Sequence, residues 1–239
     1  MPGARATQPR PATRISGPKV AGVSGRFERE LAGVAGILLA AGSGSRLGRP
    51  KAAVEIGGET LASRGIAVLR AGGAAPAVLV TGAVAVTVPG TLAVHNPDWA
   101  SGMGSSLVAG LSVVPAGCGA AVIALADQPL VGPAAVARLI AAYRAGATVA
   151  VAAYDGAPRN PVLIARVHWP AVIALATGDA GARPFLRAHP ELITLVECGD
   201  TGRPDDIDTE ADLARIAGLA SPERPRSPRS GSRWRRGPG

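Results

Sequence analysis

A seven-residue apolar run, Val34 to Ala40, passes directly into Ala41-Gly42-Ser43-Gly44-Ser45-Arg46-Leu47-Gly48-Arg49-Pro50-Lys51. That junction constrains the fold more than any other stretch. An uninterrupted apolar run of this length reads as a strand buried on both faces, the habit of parallel sheets. Gly42, Gly44 and Gly48 let the backbone adopt positive φ and come close to a ligand. Backbone N–H groups in such a turn point at anions, and Arg46, Arg49 and Lys51 add charge around them. The segment therefore reads as a strand feeding a loop that holds a polyphosphate. An ordinary glycine-rich strand-to-helix turn is the plainer alternative. Two familiar phosphate loops do not fit. A Walker loop needs Gly-Lys-Ser/Thr, whereas Gly48 is followed by Arg49-Pro50. A dinucleotide loop needs its third glycine three residues after the second, whereas Gly48 lies four after Gly44.

The rest of the chain alternates strand and helix patterns from 34 to 219. Strands are predicted at Val34–Leu39, Ala77–Thr81, Leu92–His95, Ala120–Ala126, Thr148–Ala153, from Arg159, and at Ile193–Val196. A short extended piece is expected at Ala53–Ile56, with a turn at Gly57-Gly58. Thr60 can cap a helix over Leu61–Ala71, which Gly72-Gly73 ends. Further helices are expected from Gly104 or Ser105 to Ser112, over Gly132–Ala145, over Val167–Thr177, and after Thr209. Such alternation predicts an α/β fold: a single three-layer domain with a mostly parallel, Rossmann-like sheet.

Charge divides the chain into three. Residues 1–30 carry six bases and two acids, and 217–239 carry six bases and one acid, which leaves 31–216 at a net charge of −1. The formal +8 therefore belongs to the ends. Both ends are rich in Pro, Gly, Ser and Arg without periodicity. They are expected to be disordered tails, 1–30 and 221–239, around a folded domain of 31–220. A near-neutral core without interleaved aromatics argues against a nucleic-acid-binding function, which would have to rest on the basic tails. No apolar run is long enough for a membrane span, and no signal-peptide pattern precedes Val34. Cys118 and Cys198 have no metal-ligand spacing and read as buried thiols of a cytoplasmic protein. His95, His168 and His189 are scattered and suggest packing or surface roles.

Carboxylates stand where α/β sheets bind ligands. Asp127 follows the apolar strand Ala120–Ala126, and a carboxylate there is costly to bury unless paired or on a metal. Capping of the next helix is the alternative. Asp206 and Asp208 alternate and share one face if extended. Thr209 and Asp212 fit a capping-box variant, which makes Asp212 structural.

In motif order, Leu31 to Ala220 resembles the molybdenum cofactor cytidylyltransferase-like (MobA-like NTP transferase) family. Its loop, Leu-x-Ala-Gly-x-x-x-Arg-x-Gly-x-x-Lys, is matched by Leu39, Ala41, Gly42, Arg46, Gly48 and Lys51. Its Asn-Pro-x-aromatic-x-x-Gly-x-x-x-Ser stretch is matched by Asn96, Pro97, Trp99, Gly102 and Ser106, although an Asx-turn with a helix cap would look the same. The family's Asp-x-Pro is met by Asp127 and Pro129. Its Gly-Asp-x-Gly-Ala-Arg is met at Gly178 to Arg183, where a solvated turn is the alternative. Its Asp-x-Asp-Thr-x-x-Asp is met from Asp206 to Asp212. Asn160 stands where relatives often carry His, before Pro161-Val162-Leu163.

The resemblance implies a nucleotide-diphospho-sugar transferase fold and transfer of a nucleotidyl group from an NTP to a phosphorylated acceptor, releasing pyrophosphate. It implies catalytic roles for Arg46, Lys51 and Asp127. Nucleotide contacts would come from Leu39, Ala40, Ala41, Gly42, Gly44, Arg46, Lys51, Asn96, Gly102 and Ser106. Mg²⁺ would sit on Asp127 and Asp208. Acceptor contacts would come from Arg159, Asn160, Pro161 and Arg183. The Ala40-Ala41-Gly42 start resembles cytidylyl-transferring members, where guanylyl-transferring relatives read Ala-Gly-Gly. CTP and a molybdopterin-type acceptor are therefore expected, with a molybdoenzyme as a maturation partner. Guanylyl, sugar-phosphate and isoprenoid nucleotidyl transfer are the alternatives.

Overall fold

The apolar run forms strand β1, Gly33–Leu39, inside a seven-stranded sheet in the computed structural model, which describes residues 32–220. The expected tails lie outside the described residues. The other strands of this sheet are β4 (Ala77–Thr81), β5 (Leu92–His95), β6 (Cys118–Leu125), β7 (Val149–Tyr154), β8 (Ala157–Ala165) and β9 (Ile193–Glu197). Their order is β5-β4-β1-β6-β8-β7-β9. β1 pairs in parallel with β4 and β6, β4 with β5, and β7 with β9. β8 runs antiparallel to both its neighbours, β6 and β7. It thus starts at the edge of the sheet where the parallel strands end. A separate two-stranded hairpin, β2 (Glu55–Ile56) and β3 (Glu59–Thr60), turns at Gly57-Gly58, as the sequence predicts.

Helices cover both faces. They are α1 (Leu61–Ala71), α2 (Met103–Ser112), α3 (Pro133–Arg144), α4 (Trp169–Leu175), α5 (Arg183–Ala188) and α6 (Glu210–Ala220). β1 distributes its side chains by the two-residue strand period. Val34 and Leu38 join Ile66 and Leu69 of α1 and Leu139 of α3 in one core. Ile37 and Leu39 join Leu107 and Leu111 of α2, Val172 of α4 and Phe185 of α5 in the other. A third cluster brings Leu47 from the glycine loop against Val54, Ile56, Ile207 and Ile216. It ties the loop to the C-terminal segment.

The helix signals act as expected at α1, where the Thr60 hydroxyl accepts from the Ser63 amide at 3.1 Å. The helix predicted over Val167–Thr177 is shorter. A 3-10 turn at Arg166–His168 leads into α4, which stops at Leu175. The segment read only as a loop up to Arg183 continues into α5, because Pro184 suits a helix start and Phe185 is buried. Among the described residues, no helix is long and apolar enough to cross a membrane. Cys118 and Cys198 are free and buried.

Leu107 is completely buried between α2 and the sheet. Leu107→Ala should lower the unfolding free energy by about 2–5 kcal/mol, read from urea denaturation as a lower midpoint with an unchanged slope.

Candidate active site

The C-terminal ends of β1 and β6 open into a cleft of about 660 Å³, floored by Leu39, Ala40 and Ala41. The strand register continues past β1: the Ala40 amide donates to Val80 O, and the Ala126 amide to Leu39 O. Beyond this point the glycine loop curls over the cleft. Gly44 has φ +64, and a Cβ there would collide with the Arg49 carbonyl oxygen, so the curl requires glycine. The amides of Gly42 through Arg46 donate to no acceptor among the described residues. Buried Leu47 anchors the loop, and its amide donates to Gly44 O. The result is a row of unpaired N–H donors held in a fixed curl, the geometry that receives phosphate oxygens.

Lys51 stands at the end of this loop, between two carboxylates. Its Nζ donates to Asp127 Oδ2 at 2.8 Å and to Asp208 Oδ1 at 2.6 Å. Asp127 is placed by β6, which ends two residues before it. Asp208 reaches the same point because its segment is docked on the Asp127 turn. The Ile207 amide donates to Asp127 O at 2.9 Å, and Gln128 Nε2 donates to Asp206 Oδ1 at 2.9 Å. Ile207 itself is fully buried in the third cluster. On the far side, Thr209 and Asp212 exchange backbone-to-side-chain bonds at the start of α6. This is the expected capping box. Arg46 crosses the mouth of the cleft to Asp208 Oδ2 at 3.0 Å.

Two pKa shifts follow from this crowding. Burial alone would lower Lys51, but Asp127 and Asp208 outweigh it and hold the ammonium above its ordinary 10.5. The Asp206 carboxyl is pushed up by desolvation and by the Asp127 and Asp208 charges, against the pull of Gln128 and Lys51.

The start of α2 forms the far wall. Asn96 is buried, and its Nδ2 donates to the hydroxyls of Ser105 at 2.8 Å and Ser106 at 3.0 Å. Its Oδ1 accepts from the Asp98 amide. The Asx-turn expected as the alternative for this stretch is therefore present, tied to the first turn of α2. Asn96 itself stays behind the wall, while Gly102 and Ser106 line the cleft with Trp99 and Met103.

Of the residues singled out from sequence, Leu39, Ala40, Ala41, Gly42, Gly44, Arg46, Lys51, Gly102, Ser106, Asp127, Asp208 and Arg183 all line this one cleft. Arg159, Asn160 and Pro161 do not. Arg159 is exposed and donates to Pro158 O, and Pro161 lines a separate small cavity beside Arg64. They lie in the first half of β8, before its pairing with β6 begins at Val162, and Arg159 pairs with Ala152 of β7 outside the cleft wall. Asp179, Asp206, Trp99 and Met103 line the cleft without having been assigned a role there. Three of them already stood in quoted motifs; Met103 carried no signal.

The MobA-like NTP transferase domain model matches residues 36–192. A nicotine blue oxidoreductase of Paenarthrobacter nicotinovorans is 38% identical over 204 residues, covering 79% of this chain and 98% of that protein. The crystal structure of a homologue of Mycobacterium tuberculosis Rv0371c from Mycobacterium sp. strain JC1 superposes with a TM-score of 0.68 at 28% identity, over 80% of this chain and 96% of that one. Rv0371c of M. tuberculosis H37Rv in complex with manganese gives 0.65 at 25% identity, over 78% and 98%.

Because the folded-state pKa of Lys51 is raised, its contribution to stability is fully present below about pH 10.5 and is lost as pH rises through the folded value. The melting-temperature difference between wild type and Lys51→Met should therefore stay constant from neutral pH to about 9 and shrink above about 10.5. Calorimetric scans of both proteins across this range check it.

Proposed function

The chain belongs to the MobA-like NTP transferase family, and we propose that it moves CMP from CTP onto the terminal phosphate of a molybdopterin-type acceptor, releasing pyrophosphate. The observation that carries this reading is Lys51 held between Asp127 and Asp208 beside a loop of unpaired amides. A triphosphate brings the negative charge that these amides, Arg46 and Lys51 are placed to meet. The Ala40-Ala41-Gly42 start of the loop favours cytosine over guanine by its resemblance to cytidylyl-transferring members.

Among the described residues, no three His, Cys, Asp or Glu side chains make a metal site by themselves. Mg²⁺ is commonly held by one or two carboxylates with substrate phosphates, so the donor set of Asp127 and Asp208 fits it. The manganese in the Rv0371c structure supports a divalent ion in this fold. When bound, the ion neutralises charge developing on the phosphate oxygens.

The chain's own groups bind and orient. The amides of Gly42 to Arg46 donate to the triphosphate oxygens. Lys51, a compact ammonium, turns from its carboxylates to the incoming phosphates or bridges the two. The floor at Leu39 to Ala41 and the wall at Gly102 and Ser106 hold the nucleoside. An acceptor phosphate oxygen attacks the α-phosphorus in line, the new P–O bond forms, and the bond to the β-phosphate oxygen breaks. No protein nucleophile is needed, so position and preorganised charge supply the rate.

The relative at 38% identity, an oxidoreductase by name, gives specific ground for a second reading, hydride transfer to or from a substrate. Hydride transfer develops no phosphorane-like charge and gives Asp127 and Asp208 no task. Pyrophosphate release from each of the four NTPs with Mg²⁺ and molybdopterin, set beside substrate-dependent loss of NADPH absorbance, separates the two. Pyrophosphate with CTP is expected. NADPH loss without pyrophosphate assigns the chain to the second reading.

Asp127→Asn and Asp208→Asn should each lower kcat at least about a hundredfold, the scale of losing one preorganised charge contact to the transition state. The double variant should be far less than multiplicatively worse, because the two act as a unit. Circular dichroism of each variant separates lost chemistry from lost fold, and normal turnover by folded Asp208→Asn would remove Asp208 from the site.

A further inference from the structure

The segment that delivers Asp208 lies along the turn that follows Asp127. At its far end the two backbones touch: a Cβ on Gly132 would strike the Thr201 carbonyl, and one on Gly202 the Leu130 carbonyl. The Arg203 amide donates to Leu130 O at 3.0 Å, and the Ile207 amide to Asp127 O at 2.9 Å. Between these two rungs the tie is a side chain. Gln128 is buried, and its Nε2 donates to Pro204 O at 3.4 Å and to Asp206 Oδ1 at 2.9 Å. Gln128 is itself held in the turn, its amide on Leu125 O and its carbonyl under the Val131 amide.

Gln128 fills the open middle position of Asp127-Gln128-Pro129. One side-chain amide therefore ties the residue after Asp127 to the residue two before Asp208. Asp206 lines the cleft and brings a third negative charge close to Asp127 and Asp208. That charge and the hold of Gln128 on Asp206 are separable, because the hydrogen bond needs an acceptor oxygen and not a charge.

We propose that Gln128, acting through Asp206, is the positioning residue that sets Asp208 at the distance from Asp127 at which the two share one divalent cation. The inference rests on the reading above, in which this carboxylate pair takes Mg²⁺ with the nucleotide phosphates. Mg²⁺ demands near-ideal octahedral geometry with oxygens at about 2.0–2.1 Å, so a small displacement of either carboxylate is felt. Groups that hold a ligating carboxylate in place typically cost about 10- to 100-fold in metal affinity when removed.

The test follows Mn²⁺ binding to the full chain with CTP, by loss of the free-ion paramagnetic resonance signal, corrected for Mn²⁺ held by CTP alone. Gln128→Met keeps the length of the side chain and loses the donor. It should weaken Mn²⁺ binding at least about tenfold. Asp206→Ala should weaken it at least as much. Asp206→Asn lacks the charge but keeps an acceptor for Gln128, so it should bind Mn²⁺ several-fold or more tightly than Asp206→Ala. Gln128→Met added to Asp206→Ala should have no further effect, because the bond is already gone. In turnover, Gln128→Met should raise the Mg²⁺ concentration for half-maximal pyrophosphate release about tenfold, with the KM for CTP at saturating Mg²⁺ held within about twofold. Unchanged Mn²⁺ binding by folded Gln128→Met overturns the proposal. So does equal weakening in Asp206→Asn and Asp206→Ala, which assigns Asp206 a role by charge alone, or a Gln128→Met effect that persists beside Asp206→Ala. If Gln128→Met does not fold, the two Asp206 variants decide, since Asp206 is exposed and both should fold. The Mn²⁺ measurement needs no turnover, so failure of nucleotidyl transfer leaves it in force. If the wild type holds no Mn²⁺ beyond CTP alone, the shared-ion reading fails first. Hydrogen exchange at the Ile207 amide then decides the positioning role. Exchange at least about tenfold faster in Gln128→Met and Asp206→Ala than in wild type and Asp206→Asn upholds it, and equal exchange overturns it.

Discussion

One ammonium group joins three distant parts of the chain. Lys51, Asp127 and Asp208 belong to the glycine loop, the end of β6 and the C-terminal segment, and they meet through contacts of 2.8 and 2.6 Å. Two carboxylates converging on one point repel, and each resists desolvation. With Lys51 between them the local charge falls, and Arg46 lowers it further on the Asp208 side. The geometry of the cleft depends on this neutralisation. The third hydrophobic cluster serves the same end, since Leu47 and Ile207 pin the two segments that deliver Lys51 and Asp208. Apolar packing brings the strands of charge into range, and the ammonium fixes their final arrangement.

This pairing explains why a loop with unpaired amides can exist next to carboxylates. An isolated anionic pair would repel a triphosphate from the amides of Gly42 to Arg46. Balanced by Lys51 and Arg46, the same carboxylates leave the loop free to receive an anion, and on the proposed reading an arriving cation and phosphate would redistribute the charges rather than create new ones. Preorganised groups of this kind reorganise little during a reaction, which is where electrostatic catalysis gains its size.

Much of this was legible in the sequence where a local signal decided the outcome. The bounds of β4 and β5, the Thr60 cap and the Thr209–Asp212 box follow from short-range chemistry, and the structure reproduces them. The glycine loop was legible because its curl needs glycine at Gly44 itself. What was not legible depends on partners far along the chain. Lys51 reads from sequence as a phosphate ligand, and nothing near it foretells carboxylates 76 and 157 residues away. The antiparallel insertion of β8 depends on which strands it separates, and with it goes the position of Arg159 to Pro161 outside the cleft. α5 has no local signal, because a glycine-rich turn precedes it and what holds it as a helix is the burial of Phe185, a tertiary fact.

A fold of this kind does not by itself fix a reaction, as a relative at 38% identity with an oxidoreductase name makes concrete. The two ends of the cleft differ in what they demand. The glycine-loop end, with amides, Arg46 and Lys51, suits phosphate whichever molecule carries it, and an NTP or a phosphate-bearing redox cofactor would meet the same donors. The carboxylate pair narrows the choice, because Asp127 and Asp208 beside the loop would suit a divalent cation shared with a transferred phosphate, a demand that a nicotinamide ring does not make. The wall formed by Trp99, Asp179 and Arg183 makes no such demand for phosphate. It is built instead by backbone contact: at Gly102 and Gly104 the turn that carries Asp179 and Arg183 lies directly on α2, so two residues with no side chain at all set where those charges stand in the cleft.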